Sequence, residues 1–189
     1  MLTTPKTKRE QQLIVGKRII LRSPNHRDAE EFMKLNLQSS SFHRGLASPP
    51  KTRDDYSAFL TRARQQESEV FLICRKTDTA IAGSINLSQI FRGGFQNAYL
   101  GYYIGSAFSK QGYMTEAIQL ILRYAFRELK LHRLEANIQP SNVASLALVR
   151  RAGFRREGYS PRYLKICGRW RDHERWAITV EDWRSLRTN

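Results

Sequence analysis

The stretch whose reading decides the fold runs from Phe108 to Leu129: F-S-K-Q-G-Y-M-T-E-A-I-Q-L-I-L-R-Y-A-F-R-E-L. Its first half is a short loop around Gly112, and its second half has the spacing of a helix. Just upstream, A-Y-L-G-Y-Y-I-G (Ala98 to Gly105) is an apolar and aromatic run of strand length. A strand that passes through a glycine turn into a helix aims several backbone N–H groups at one point, where the helix dipole is also positive. Such a point suits a pyrophosphate. An ordinary strand–loop–helix connection would carry the same glycine, so the motif alone does not decide the matter.

The helix says more. Glu116, Gln119, Arg123, Arg127 and Lys130 fall three and four residues apart and form one polar stripe, expected to face solvent. Ala117, Ile118, Leu120, Ile121, Leu122, Tyr124, Ala125, Phe126 and Leu129 are apolar. A helix apolar over most of its circumference is buried, here against a sheet. It is the expected central helix, and the loop before it is held rigidly.

Around this centre the rest of the chain supplies a sheet. Strands are expected at Val15 to Ser23, Val70 to Arg75, Ala80 to Ile90, Ala98 to Gly105, His132 to Gln139, Tyr163 to Cys167 and His173 to Val180. Further helices are expected over Asp28 to Leu37, from Thr52 through Ala63 behind a Thr52/Asp55 capping box, and from Asn142 to Gly153. The last two strands are expected to meet at the turn G-R-W-R-D. The fold class is α/β (α+β), one mixed and mostly antiparallel sheet of about seven strands flanked by about four helices. Residues 1–12 are polar and read as a flexible N-terminus, with a single domain over 13–189.

The chain has 189 residues, and no apolar run approaches the ~20 needed to span a bilayer. Its N-terminus lacks the apolar core of a secretory signal. Cys74 and Cys167 have neither metal-ligand spacing nor a disulfide pattern, and a reducing cytoplasm is the expected setting. The net charge of +15 is unusual. Solubility alone asks for a net charge of ~2–8 in a small domain. The excess is spread along the chain, at +6 over residues 1–68, +3 over 69–131 and +6 over 132–189. Such a field favours a polyanionic partner or setting.

At this point the order of motifs resembles the GNAT superfamily of N-acetyltransferases, and within it the RimJ/RimL group that acetylates ribosomal-protein N-termini. The superfamily's cofactor motif falls on Ser109-Lys110-Gln111-Gly112-Tyr113-Met114, with Ser109 and Met114 departing from its outer positions. Asn142-Val143-Ala144-Ser145, followed by Gly153-Phe154 and Glu157-Gly158, is similar to the group's N-x-x-S helix and G-F-x-x-E-G strand entry. Gly168-Arg169-Trp170-Arg171-Asp172-His173 resembles a G-x-W-x-D-H turn of the ribosomal-protein alanine acetyltransferases.

The resemblance implies acetyl transfer from acetyl-CoA to an amine in a ternary complex, without a metal. It implies that the backbone of Gln111, Gly112, Tyr113, Met114 and Thr115 cradles the pyrophosphate, and that Tyr102, Tyr103 and Ile104 pair with the pantetheine arm. Asn142 would contact that arm or cap its helix, and Ser145 would protonate the leaving thiolate or simply pack the helix. Many relatives place a Glu where Tyr99 stands, so the general base is open, with water relayed to Glu135 or Tyr99 as the candidate. Glu116 belongs to the solvent stripe, where the helix dipole explains it. His43 and Arg44 read as exposed loop polarity or a substrate contact, and Asp172 and His173 as residues that fix a turn. The implied acceptor is a ribosomal protein, the alanine-starting S-five protein of the small subunit. A small amine such as a polyamine, or a vestigial fold that binds ribosomal RNA through its basic surface, are the alternatives. Both monomer and homodimer stay open.

Overall fold

The computed structural model describes residues 12–187, so the expected flexible N-terminus falls outside the described residues except for Gln12. Eight strands form one sheet: β1 (Leu13–Val15), β2 (Ile19–Arg22), β3 (Glu69–Arg75), β4 (Ile81–Phe91), β5 (Asn97–Ile104), β6 (Arg133–Ile138), β7 (Arg155–Ile166) and β8 (Arg169–Thr179). Five helices accompany them: α1 (Ala29–Gln38), α2 (Arg53–Ala63), α3 (Tyr113–Arg123), α4 (Val143–Arg151) and α5 (Val180–Ser185). The strand order is β1-β2-β3-β4-β5-β6-β8-β7, and among the described residues only β5 and β6 are parallel neighbours. That pair is joined by α3, because parallel strands need a crossover.

The sheet is buried on both faces at its centre. In β3, Phe71 and Ile73 join the core around α3, while Val70, Leu72 and Cys74 join the core under α1 and α2. Alternate side chains of one strand therefore fill two cores, which explains why V-F-L-I-C is an unbroken apolar run. On α3, Ala117, Ile118 and Ile121 are fully buried. The helix continues past Arg123 as a wider turn over Tyr124–Glu128, where Leu129 N–H donates to Tyr124 O at 3.0 Å.

Three expectations change. The strand predicted over Val15 to Ser23 is two strands, because Gly16 N–H closes a tight hairpin on Ile19 O at 2.9 Å. The final hairpin turns at Cys167-Gly168, both left-handed at φ 49° and 77°, and not through G-R-W-R-D. A two-residue turn with both φ values positive matches the twist of the strands it joins, so β7 and β8 pair on through Ile166 and Arg169. Val180 opens α5 behind a Thr179/Asp182 capping box, and Trp183 of that short helix packs on Phe126 at 5.5 Å. Among the described residues no helix is long and apolar enough to cross a membrane.

Candidate active site

The start of α3 is built to leave donors free. Gly112 occupies the N-cap position at φ 82°, and no side chain of the described residues caps it, whereas Thr52, Asn142 and Thr179 cap α2, α4 and α5. The first bond of the helix runs from Glu116 N–H to Gly112 O at 3.1 Å, so Tyr113, Met114 and Thr115 carry the N–H groups without an acceptor inside the helix. Lys110 is also left-handed, at φ 59°, which curls the loop over the helix end. Arg18, on the turn before β2, reaches this point: its Nη1 donates to Gln111 O at 3.0 Å, and its guanidinium lies 4.9 Å from the Tyr113 ring centre. A Cβ on Gly112 would sit 2.8 Å from Arg18 Nη2.

Next to this end the sheet opens. β5 and β6 pair only through Asn97, Ala98 and Tyr99 against Arg133, Leu134 and Glu135. Beyond that, β5 stays with β4 and β6 stays with β8, so the facing edges of Leu100–Ile104 and Ala136–Ile138 have no strand partner among the described residues. One side-chain bond crosses beside the gap: Tyr102 Oη and Ser145 Oγ are 2.5 Å apart. Burial pushes the Tyr102 phenol up to about 12, although the Ser145 bond draws it down, so it is protonated at neutral pH. Asn142 caps α4, its Oδ1 accepting from Ser145 N–H at 3.2 Å. The cap thereby fixes the residue that carries the buried hydroxyl.

On the opposite face of the sheet, Tyr99 and Glu135 are register partners in adjacent strands. Glu135 Oε1 accepts from Arg133 Nε at 2.9 Å and Asn97 Nδ2 at 3.2 Å, while Oε2 has no hydrogen bond among the described residues. Arg133 also forks onto Glu157. Burial first, and then the Glu135 charge, raise the Tyr99 phenol above its ordinary value. Two cavities, of about 710 and 490 Å³, open on this face and share Ser48, Pro49, Pro50 and Arg62.

His43 forms part of the larger cavity's wall. It is only 5% exposed, and its Nε2 donates to Ile104 O at 2.8 Å, which leaves a buried Nδ1 without a partner among the described residues. Burial holds this imidazole below its ordinary value. Two residues on, Gly45 O accepts from Gln139 Nε2 at 2.8 Å. The segment 43–45 thus fastens to the end of β5 on one side and to the residue following β6 on the other, spanning the gap between them.

Compared with known proteins, residues 18–155 match the acetyltransferase (GNAT) domain family. The chain belongs to the GNAT acetyltransferase family. It is 35% identical over 180 residues to "Probable N-acetyltransferase YjcK" of Bacillus subtilis, covering 90% of this chain and 98% of that protein. It is 45% identical to the [Ribosomal protein uS5]-alanine N-acetyltransferase of Escherichia coli over 103 residues, 54% of this chain and 53% of that one. Mycobacterium smegmatis RimJ, solved in complex with CoA-disulfide, superimposes with a TM-score of 0.80 at 27% identity over 94% of this chain and 91% of that chain.

Within this GNAT chain the sequence-predicted residues divide. Gln111, Gly112, Tyr113, Met114 and Thr115 meet at one helix end, while Tyr102, Ser145 and Asn142 meet at the strand gap. Tyr103 lies in β5 too, but its side chain packs on Phe32 and His43 on the far face, so only its backbone reaches the gap edge. Ile104 gives its carbonyl to His43. Glu116 does not face solvent: its side chain is 15% exposed, and Oε1 accepts from the backbone N–H groups of Arg18 at 2.8 Å and Ile19 at 3.4 Å. Nor is His43 exposed loop polarity, although Arg44 is exposed. Asp172 accepts from Tyr159 Oη and Arg162 N–H and so pins the irregular stretch of β7 opposite it, not the terminal turn. His173 is buried, its Nδ1 donating to Arg171 O at 2.9 Å. Sequence reading missed Arg18 and Gln139, whose partners lie 93 and 94 residues away and leave no local signal.

Proposed function

We propose that this protein transfers an acetyl group from acetyl-CoA to the N-terminal α-amine of a ribosomal protein, with an alanine-starting small-subunit protein such as S-five as the acceptor. The observation that carries the reading is the hydroxyl pair Tyr102–Ser145 beside a strand gap that leads to an uncapped helix end. The name of the Escherichia coli relative supports the choice of acceptor.

Acetyl-CoA, when bound, supplies an acyl thioester whose sulfur leaves as a thiolate. The N–H groups of Tyr113, Met114 and Thr115 fit its pyrophosphate, with Arg18 adding a cation and Gly112 leaving room for close approach. The open edge of β5 at Tyr102 to Ile104 suits the amides of the carrier arm, and its free N–H groups suit a developing oxyanion. Ser145 Oγ–H would be placed to protonate the sulfur, and Tyr102, held protonated, would pass its proton on through the short bond and regain one from solvent.

The acceptor amine needs little help to lose a proton. An α-amino group of pKa ~7.7–8.0 is already about a tenth neutral at pH 7, unlike a lysine near 10.4. Water relayed to Glu135 or Tyr99 would take the proton, and Arg133 Nε holds the Glu135 carboxylate in place. The test is thiol release with three acceptors: an alanine-starting ribosomal-protein peptide, its N-blocked lysine-containing twin, and spermidine. Turnover with the free N-terminus alone is expected. Turnover with spermidine alone would overturn the reading.

A further inference from the structure

The larger cavity has a strongly one-sided charge. Arg44, Lys51 and Arg62 line it, with Asp55 as its one carboxylate. Asp55 is already engaged, accepting from the backbone N–H groups of Lys51 and Thr52 at 3.2 and 3.1 Å as the cap of α2. Among the described residues none of the three cations is in an ion pair. Three cations against one carboxylate around a concave site attract carboxylates and repel amines.

The cavity is also in the right place. Its wall includes His43 and Gly45, the residues that fasten to Ile104 and to Gln139 and so span the gap between β5 and β6. Arg62 continues into the second cavity, whose wall includes Tyr103 of β5. A chain whose amine reaches Tyr99 and Glu135 would therefore leave across a cationic wall.

We propose that this cleft receives the residues following the acceptor's α-amine and selects acceptors that carry acidic side chains there. The proposal rests on the N-terminal acetylation reading and deepens it to a substrate class. It also predicts discrimination against polyamines, because a polycation meets like charge at the entrance.

The experiment uses the full chain with CoA and alanine-starting peptides of one length. One has Asp and Glu at positions three to six, one Ser and Gln, and one Lys and Arg. Binding by fluorescence anisotropy and kcat/KM by thiol release are both read. The acidic peptide is expected to exceed the basic one about tenfold or more in each, with the difference collapsing between low and high salt. Arg44→Glu/Arg62→Glu, at two exposed positions, is expected to reverse the binding order of the acidic and basic peptides. Equal binding of all three peptides would overturn the proposal whatever the turnover. Selective binding of the acidic peptide with no turnover of any would uphold the cleft and refute the acetylation reading. Tight binding of an oligoribonucleotide, lost in the double variant while the peptides bind equally, would assign the cleft to nucleic acid instead.

Discussion

Ser145 is 9% exposed, and its hydroxyl hydrogen-bonds with Tyr102 Oη. Ser145→Ala should lower kcat about a hundredfold or more with little change in KM, since a positioned acid acts only as the sulfur leaves. Steady-state thiol release at saturating acetyl-CoA checks this, and a change in KM alone would reduce Ser145 to a binding contact. The two buried imidazoles make a separate prediction. Burial holds both His43 and His173 below the ordinary value. As pH falls through about 6.5, unfolded imidazoles take up protons that the folded ones refuse. Stability from this source is therefore full above about pH 6.5 and declines as pH falls toward the folded-state values. Thermal melts from pH 8 to 5 should show the decline, and His43→Phe should make it shallower. Ser145 was legible because it sits in a short local motif. The burial of His43 was not, because the chain around it is a polar loop and its partner Ile104 is 61 residues away.

At the scale of the element, α3 joins two tasks at one end. Gly112 holds a left-handed turn that exposes N–H groups, and Glu116, one turn later, ties the helix to β2 through Arg18 and Ile19. Gly112→Ala should cost ~1–2 kcal/mol from the positive φ and should weaken CoA binding about tenfold. Calorimetric titration with CoA separates the two effects. Glu116→Ala should cost ~1.5–3 kcal/mol, the usual value of hydrogen bonds to a charged group, while leaving the pH profile of turnover unchanged. Chemical denaturation and a pH–rate curve check it; a shifted acid limb would make Glu116 part of the chemistry. The helix, the glycine turn and the strand before it were all readable from periodicity, because local spacing dictates them. Glu116 misled because a stripe of polar residues marks the least apolar face, and β2 covers the first turn of that face. The split at Gly16 and the two-residue turn at Cys167-Gly168 were hidden in runs that read as ordinary strand and loop.

For the whole molecule, the fold was legible because each strand carries its own pattern and the chain order limits how strands can be arranged. The distribution of charge in space was not, since the excess is even along the sequence and only the fold gathers Arg44, Lys51 and Arg62 around one cleft. With a net charge of +15, catalytic efficiency on an anionic acceptor should fall as salt rises, mainly through KM. The measurement that tests the central claim most directly is mass spectrometry of a full-length, unacetylated alanine-starting ribosomal protein after incubation with the enzyme and acetyl-CoA. Fragmentation locates the added acetyl group. The account predicts one acetyl group on the N-terminal α-amine, added about a hundredfold more slowly by Ser145→Ala. An acetyl group on lysine side chains with the N-terminus left free would contradict it.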